Sequence, residues 1–514
     1  MKINQLKAGS IISYLQMGLS IIIGMLYTPI MIRLLGDSEY GLYNTVASTI
    51  SILSLLSMGF NSGYIRYYAK YKKNEEYDKI NSLNGMFLLI FLIIGAIALV
   101  CGTFLTLNLE LVFDEGLTLK EYEIARVLMA LLTVNLAISF PMSVFANIIS
   151  AHERYIFLKL LNVVKTVFSP LITLPLLLMG YRSIAMVSVT VAVSLFVDGC
   201  YLFYVLVKLK CKFVFHNFEK GLFKGLFVFT FFIALNMIVD QVNWNVDKFL
   251  LGRYKGTTAV AIYSVGASLH NYYLMFSTAI SGVFSPRIHR IINNTNENQE
   301  SQKNQLTELF CKVGRVQFLI LALICTGVIF FGQDFIVYFW AGETYHNAYY
   351  VALLLMIPGT ISLIQNIGIE VQRALNKHQF RGVIYFLMAC CNVICSIFLC
   401  KRYGEIGCAI GTAIAVLIAN GLLMNIFYHK KCNINILHFW KEILKVSRGL
   451  ILPILFGCLI SVVDLNSIWQ FILGIVVYLI VYCASMWLIG MNGYEKKLIL
   501  KLLNVAKGDR DENS

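Results

Sequence analysis

The sequence predicts an all-α polytopic membrane protein: two parallel six-helix bundles around a central cleft, with two extra C-terminal helices. Three observations predict it. Of 514 residues, 58% are apolar and only 14% charged, with a mean hydropathy of +0.72; a soluble chain of this length needs far more charge to cover its surface. The apolar residues come in runs of about 20 or more, long enough to cross about 30 Å of hydrocarbon. Finally, the chain repeats itself. Ile32-Arg33-Leu34-Leu35-Gly36 leading to Tyr40-Gly41-Leu42-Tyr43 is echoed by Lys248-Phe249-Leu250-Leu251-Gly252 leading to Ala261-Ile262-Tyr263-Ser264. A second pair, Gly180-Tyr181-Arg182-Ser183-Ile184-Ala185 and Gly404-Glu405-Ile406-Gly407-Cys408-Ala409, repeats the relation. Duplicated halves in a membrane protein point to a transporter with its substrate site between them.

Taken in order, the apolar runs predict fourteen spans, at 9–32, 40–65, 83–107, 124–149, 157–179, 183–207, 224–246, 257–285, 310–333, 348–370, 381–400, 404–428, 447–464 and 467–489. The first six form an N-terminal bundle (1–207) and the next six a C-terminal bundle (224–428), joined by a cytoplasmic linker at 208–223. Two further spans occupy 429–489 and a cytoplasmic tail 490–514. Six is even, so both halves enter the membrane in the same direction and the repeats are parallel. The linker is basic with interleaved Phe, which suits either an amphipathic helix on the inner membrane surface or an ordinary loop. The stretch 293–305 is polar and of low complexity, which predicts a mobile loop. Beyond Tyr494, YEKKLILKLLNVAKG reads as a basic amphipathic helix and DRDENS as a disordered end.

The net charge of +14 would by number alone fit a nucleic-acid partner, but its placement argues for a bilayer. Lys and Arg concentrate in the even-numbered connections, among them Arg66, Lys70, Lys72, Lys73, Lys208, Lys210, Lys212, Arg287, Arg290, Arg315, Arg373, Lys430, Lys431 and Lys445. The connection after the third span is acidic instead, with Glu110, Asp114, Glu115, Glu121 and Glu123. This asymmetry obeys the positive-inside rule, places both termini in the cytoplasm and implies contact with anionic lipids, with no nucleic-acid partner. The first apolar run is too long for a cleaved signal and stays as a span. The thirteen cysteines lack zinc-ligand spacing and read as small packing residues.

No GxxxxGK[ST] phosphate loop, HExxH or GxSxG occurs, and no soluble segment is large enough for an active site. The chain therefore reads as a non-enzyme without cofactor or metal. Ionisable groups inside spans carry the functional signal, since each costs about 2.5–3.5 kcal/mol at a helix centre on insertion scales. Lys165 is the deepest cation, whereas Lys159 can snorkel to the interface. Arg66 and Arg287 close the second and eighth spans at equivalent repeat positions, and Arg33 and Lys248 are their outer-side counterparts with Arg253. One cation from each half would suit a phosphate headgroup, because guanidinium matches phosphate with two parallel hydrogen bonds; topology determinants lying in lipid headgroups are the plainer reading of all of them. Asp240 and Asp247 flank Gln241, Asn243, Trp244 and Asn245, the most polar stretch of any span. Asp198 and Glu370 are the other embedded acids, suited to ion pairing, Lys165 included, or to ion coupling. His270 reads as a packing histidine or a titrating switch.

On Pro29, Arg33-Leu34-Leu35-Gly36, Glu39-Tyr40-Gly41-Leu42-Tyr43, Gly59 and Arg66-Tyr67, then Asp247-Lys248, Leu251-Gly252, Tyr263-Ser264 and Pro286, the chain resembles the polysaccharide (Wzx-type) flippases of the multidrug/oligosaccharidyl-lipid/polysaccharide exporter superfamily. The resemblance implies movement of undecaprenyl-diphosphate-linked oligosaccharide from the inner to the outer leaflet of the bacterial plasma membrane. It further implies a cationic cavity, alternating access without ATP, use in capsule or O-antigen synthesis, and polysaccharide polymerase machinery as a partner. Many such flippases have twelve spans where this chain has fourteen by count, as peptidoglycan-precursor flippases do. The arginines expected of that branch find no match in the first span, which favours an oligosaccharide substrate. A sugar-diphosphate head cannot cross hydrocarbon unaided, and Trp244, Tyr272 and Tyr273 could stack on sugars, although most aromatics here are simpler packing and interface residues. An ion-coupled drug or metabolite exporter is the competing reading and would rest on Asp240 and Asp198. A glycan polymerase or ligase would need a large outer loop, and the longest, about 108–123, is short and acidic.

Overall fold

The computed structural model describes residues 5–57, 59–113, 116–216, 218, 221–292, 299–375, 377–462 and 467–506, and among these residues the chain is helical with no strand. By packing, it groups into two compact units, Met1–Val265 with Tyr385–Thr412, and Gly266–Ile384 with Ala413–Ser514. This grouping follows contacts, whereas the division at 208–223 follows sequence repetition and stands as a proposal.

The first unit holds α1 (Gln5–Leu35), α2 (Asp37–Ile52), α3 (Phe60–Lys73), α4 (Tyr77–Leu107), α5 (Leu109–Phe113), α6 (Leu119–Ala151), α7 (Tyr155–Leu178), α8 (Ser183–Phe203), α9 (Leu222–Gln241) and α10 (Asp247–Tyr254). It also holds the start of α11 (Thr257–Ile292). Helices α4 and α8 pack along α6, and α1 packs along α7. Tyr64, Phe87, Phe91, Val144 and Ile148 build one buried core and Leu42, Phe113, Leu128 and Met129 another.

The second unit continues with α12 (Gln299–Asp334), α13 (His346–Ile364), α14 (Ile367–Ala374), both ends of α15 (His378–Val416), then α16 (Met424–Lys431), α17 (Ile436–Ser447), α18 (Ile451–Ile460), α19 (Ile468–Ser485) and α20 (Gly493–Ala506). Helix α12 is its spine. Phe331, Phe471, Tyr478 and Tyr482 close the packing of α12 on α19.

The repeat is visible in backbone conformation. Gly36 (φ 81), Gly180 (φ 88), Gly256 (φ 84) and Gly404 (φ 59) each take left-handed values where one helix ends and the next begins, a region open to glycine because it lacks a Cβ. Three of these are the glycines of the sequence repeat. In the second copy of the first motif the junction falls at Gly256 and not at Gly252, which stays helical with Thr45 closely packed over it.

Among the described residues, eleven helical segments are long and apolar enough to cross a membrane. One of them, Gln379–Lys431, runs 53 residues, about 80 Å at 1.5 Å per residue and far more than one crossing. Gly404 breaks it where the eleventh and twelfth spans are expected to meet. Helices α9 with α10 and α11 stand where the seventh and eighth spans are expected but are not among the eleven. The polytopic all-α class is thus established, and the count of fourteen is a sequence-level expectation.

The connecting segments depart in part from expectation. Residues 209–216 form no helix, so that part of the linker takes the loop alternative. The reason is a better set of partners: Val214 donates to the Asn81 carbonyl at 3.0 Å, and Asn84 donates to the Lys212 carbonyl at 3.1 Å. Gly85 admits this strap, since a Cβ there would lie 2.1 Å from the Val214 carbonyl oxygen. The loop expected at 293–305 is already helical from Gln299. Residues 293–298 and the terminal DRDENS lie outside the described residues.

Candidate functional site

Lys165 lies close to the midpoint of the 24-residue helix α7. Helix α8 runs antiparallel beside it, and polar pairs tie the two at successive levels. Tyr201 Oη donates to Asn162 Oδ1 at 3.4 Å, Lys165 Nζ donates to Ser194 Oγ at 3.0 Å, and the Ser169 and Thr190 hydroxyls meet at 3.4 Å. Asp198, one turn beyond Ser194, falls between the first two levels. It interacts electrostatically with Lys165 without forming an ion pair, and its Oδ2 is buried with no hydrogen-bond partner. Lys165 thus spends a donor on Ser194 while Asp198 acts on it through charge alone. A further polar patch links α6 to α3, where Asn147 Nδ2 donates to Asn61 Oδ1 at 2.7 Å. Polar groups of this kind, inside helices otherwise apolar, face one another because hydrocarbon offers no partner.

Asp247 forms the second cluster. Its side chain is 1% exposed and sits just past a wide π-helical turn, Val242–Val246. Tyr263 Oη and Thr412 Oγ1 each donate to its Oδ2 at 2.7 Å. Asn392 Nδ2 donates to Thr412 Oγ1 at 3.2 Å, and Ser396 Oγ donates to Asn392 Oδ1 at 3.2 Å. Among the described residues no ion pair involves Asp247. A buried carboxylate answered only by neutral hydroxyls can take up a proton or a small cation. No group of three or more His, Cys, Asp or Glu among the described residues is placed to hold a metal ion.

The remaining sequence candidates are dispersed. Arg66 and Arg33 are exposed on α3 and at the end of α1, and Lys248 is half-buried next to Asp247 in the chain. Arg287 is exposed near the end of α11, in the second unit. Asp240 is exposed, and Glu370 pairs with Arg373 at 2.7 Å within α14. Gln241 of the polar stretch donates to Ser54 at 3.0 Å and accepts from Asn245 at 2.6 Å, so it knits the helices together. Tyr273 is buried with its hydroxyl 2.6 Å from Thr360, a packing role. His270 lies against Gly359.

Two buried acids named in the sequence carry contacts that sequence reasoning did not foresee. Glu121 closes a capping box on α6 with Thr118 and accepts from Ser38 at 2.5 Å and from Thr257 at 2.7 Å. It thereby joins the starts of both repeat copies, which also touch directly: a Cβ on Gly41 would lie 1.9 Å from the Thr257 carbonyl oxygen. The spacing Thr118-x-x-Glu121 was the available signal. Glu39 accepts from the Ser183 backbone at 2.9 Å and from Arg182 at 3.2 Å; the sequence marks it as a motif residue without disclosing these partners.

Glycine-jointed repeated helices with ionisable groups at mid-span define a membrane transporter fold. Known structures agree: the chain superposes on the lipid II flippase MurJ in an inward closed conformation with a TM-score of 0.67, at 17% identity, covering 96% of this chain and 99% of that one. It also superposes on the MATE multidrug transporter DinF-BH, with a TM-score of 0.59, 14% identity, and coverage of 84% and 97%. A family model described as polysaccharide biosynthesis protein matches residues 6–292, more than half of the chain, so the chain belongs to that family, the Wzx-type group its motifs resemble. A Shigella flexneri protein whose name assigns it to O-antigen transport is 24% identical over 421 residues, 78% of this chain and 92% of its own length.

Proposed function

We propose that this protein is a flippase that moves undecaprenyl-diphosphate-linked oligosaccharide from the inner to the outer leaflet of the bacterial plasma membrane, by alternating access, for surface polysaccharide synthesis. The observation that carries this reading is Lys165, a cation held at mid-span among hydroxyl and amide groups in a chain of the polysaccharide family. Its charge meets the diphosphate while the asparagines, serines and Tyr201 beside it offer hydrogen bonds to sugar hydroxyls. Arg66, Arg33 and Lys248 add positive charge to the same unit and Arg287 to the second unit, for headgroup or lipid contact, and the polyprenyl tail stays in lipid. Asp247 is the carboxylate that couples this movement to an ion, so no nucleotide is consumed. Both termini lie in the cytoplasm, the basic loops rest on anionic lipid, the product passes to polymerase machinery, and the chain carries out no covalent chemistry.

The second reading, an ion-coupled drug or metabolite exporter, is favoured by Asp247 and by the fold shared with DinF-BH. One experiment separates the two: quantify undecaprenyl-diphosphate glycans by leaflet in cells lacking the chain, using an outside-only glycan-modifying enzyme. Inner-leaflet accumulation relieved by the wild type supports the flippase; an unchanged distribution removes it and leaves the exporter.

A further inference from the structure

We infer that Asp198 is a built-in counter-charge for Lys165: its field acts on the ammonium in the substrate-free chain and favours the ammonium's return when the diphosphate head departs. The inference rests on the reading of Lys165 as the headgroup cation and adds a residue that governs release.

The geometry carries it. The contacts 201 to 162 and 194 to 165 fix the register of α8 against α7, and Asp198 lies between them on the same face of α8 as Ser194. Lys165 donates to Ser194, not to the carboxylate. Asp198 keeps one oxygen buried and unsatisfied, and Tyr201 turns its hydroxyl to Asn162. A purely structural ion pair in a low-dielectric interior closes to direct contact and fills its remaining lone pairs, because unpaired polar groups there are costly. This pair does neither. Lys165 has free donor capacity, since an ammonium carries three N–H groups, and an oxygen of Asp198 waits within the same field. An arriving phosphate would engage those free donors against the opposing carboxylate. Binding is weakened by the opposition, and release is favoured because the ammonium has a partner to return to. A transporter gains from this, since a headgroup bound too tightly is never let go.

Asp198 is thus a positioning residue that acts through Lys165, and its removal has a consequence opposite to that of damage. The test uses the purified full-length chain in nanodiscs of zwitterionic lipid, with farnesyl diphosphate as the binding probe, alongside the leaflet assay in cells. Asp198→Asn is expected to bind the probe at least about tenfold more tightly, because the charge opposing the phosphate is gone, while leaflet transfer slows. Asp198→Ser gives the same direction should the amide fail to fold, and Asp198→Glu keeps wild-type affinity. Lys165→Gln weakens binding. If Asp198→Asn and Asp198→Ser bind the probe no better than wild type while Lys165→Gln weakens it, the counter-charge is overturned and the Lys165 site stands. If Lys165→Gln leaves affinity unchanged, the underlying reading fails and the inference with it.

Discussion

Lys165 and Asp247 answer the same physical problem in different ways. Lys165 sits at mid-span with a hydroxyl contact and a nearby acid, whereas Asp247 is sealed among hydroxyls that donate to it. Replacing Lys165 by Ala is expected to lower surface glycan at least about tenfold at unchanged protein level, with partial function in Lys165→Arg; glycan staining beside a membrane immunoblot checks it. At Asp247 the two roles separate by substitution. Asp247→Asn keeps an acceptor for a hydroxyl and loses transport with little change in Tm. Asp247→Ala also strands the Tyr263 and Thr412 hydroxyls and costs roughly 2–4 kcal/mol, read by thermal unfolding in detergent. Lys165 and Asp198 were legible in the sequence because charge inside an apolar run announces itself. Asp247 was legible as an embedded acid, but its partners at 263, 392, 396 and 412 were not, since most arrive from helices far along the chain. Glu121 read as one acid in an acidic loop for the same reason: Ser38 and Thr257 reach it only through tertiary packing.

At the scale of elements, glycine decides where helices stop and how closely they meet. The repeated motifs revealed the junctions at Gly36, Gly180 and Gly404, while the junction at Gly256 was displaced by four residues from its sequence counterpart because Gly252 is needed inside α10, under Thr45. Close approach cannot be read locally at all. Gly41→Leu is expected to force α2 off the start of α11 and sharply reduce the folded fraction, measured by size-exclusion of a fluorescent fusion, whereas Gly18→Ala, with open space around it, leaves it unchanged. The tail helix α20 is held by charge. Arg315, 4% exposed on α12, binds both oxygens of Glu495, at 2.5 and 2.9 Å, and Glu442 of α17 at 3.0 Å. The sequence showed Arg315 only as one positive-inside residue. Removing one partner of a buried pair typically costs about 3–5 kcal/mol, so Arg315→Ala should undock α20 and expose the segment after Gly490 to limited proteolysis, which wild type resists.

Over the whole molecule, composition and run length were enough to give an all-helical membrane chain, and repetition gave its transporter character. The number of crossings was less legible, because a 53-residue apolar helix broken at one glycine and helices interrupted by wide π turns blur where one crossing ends. The substrate was legible only through the family motifs, since many cargoes share one fold and the cargo is chosen by a few side chains. The central claim is that this chain carries a lipid-linked glycan across the bilayer with Lys165 in the path. The most direct measurement is the leaflet distribution of undecaprenyl-diphosphate oligosaccharide in cells that lack the chain and are complemented with wild type or Lys165→Ala. Glycan retained on the inner leaflet and released by wild type but not by Lys165→Ala is the predicted result; a distribution indifferent to the presence of the chain would contradict it.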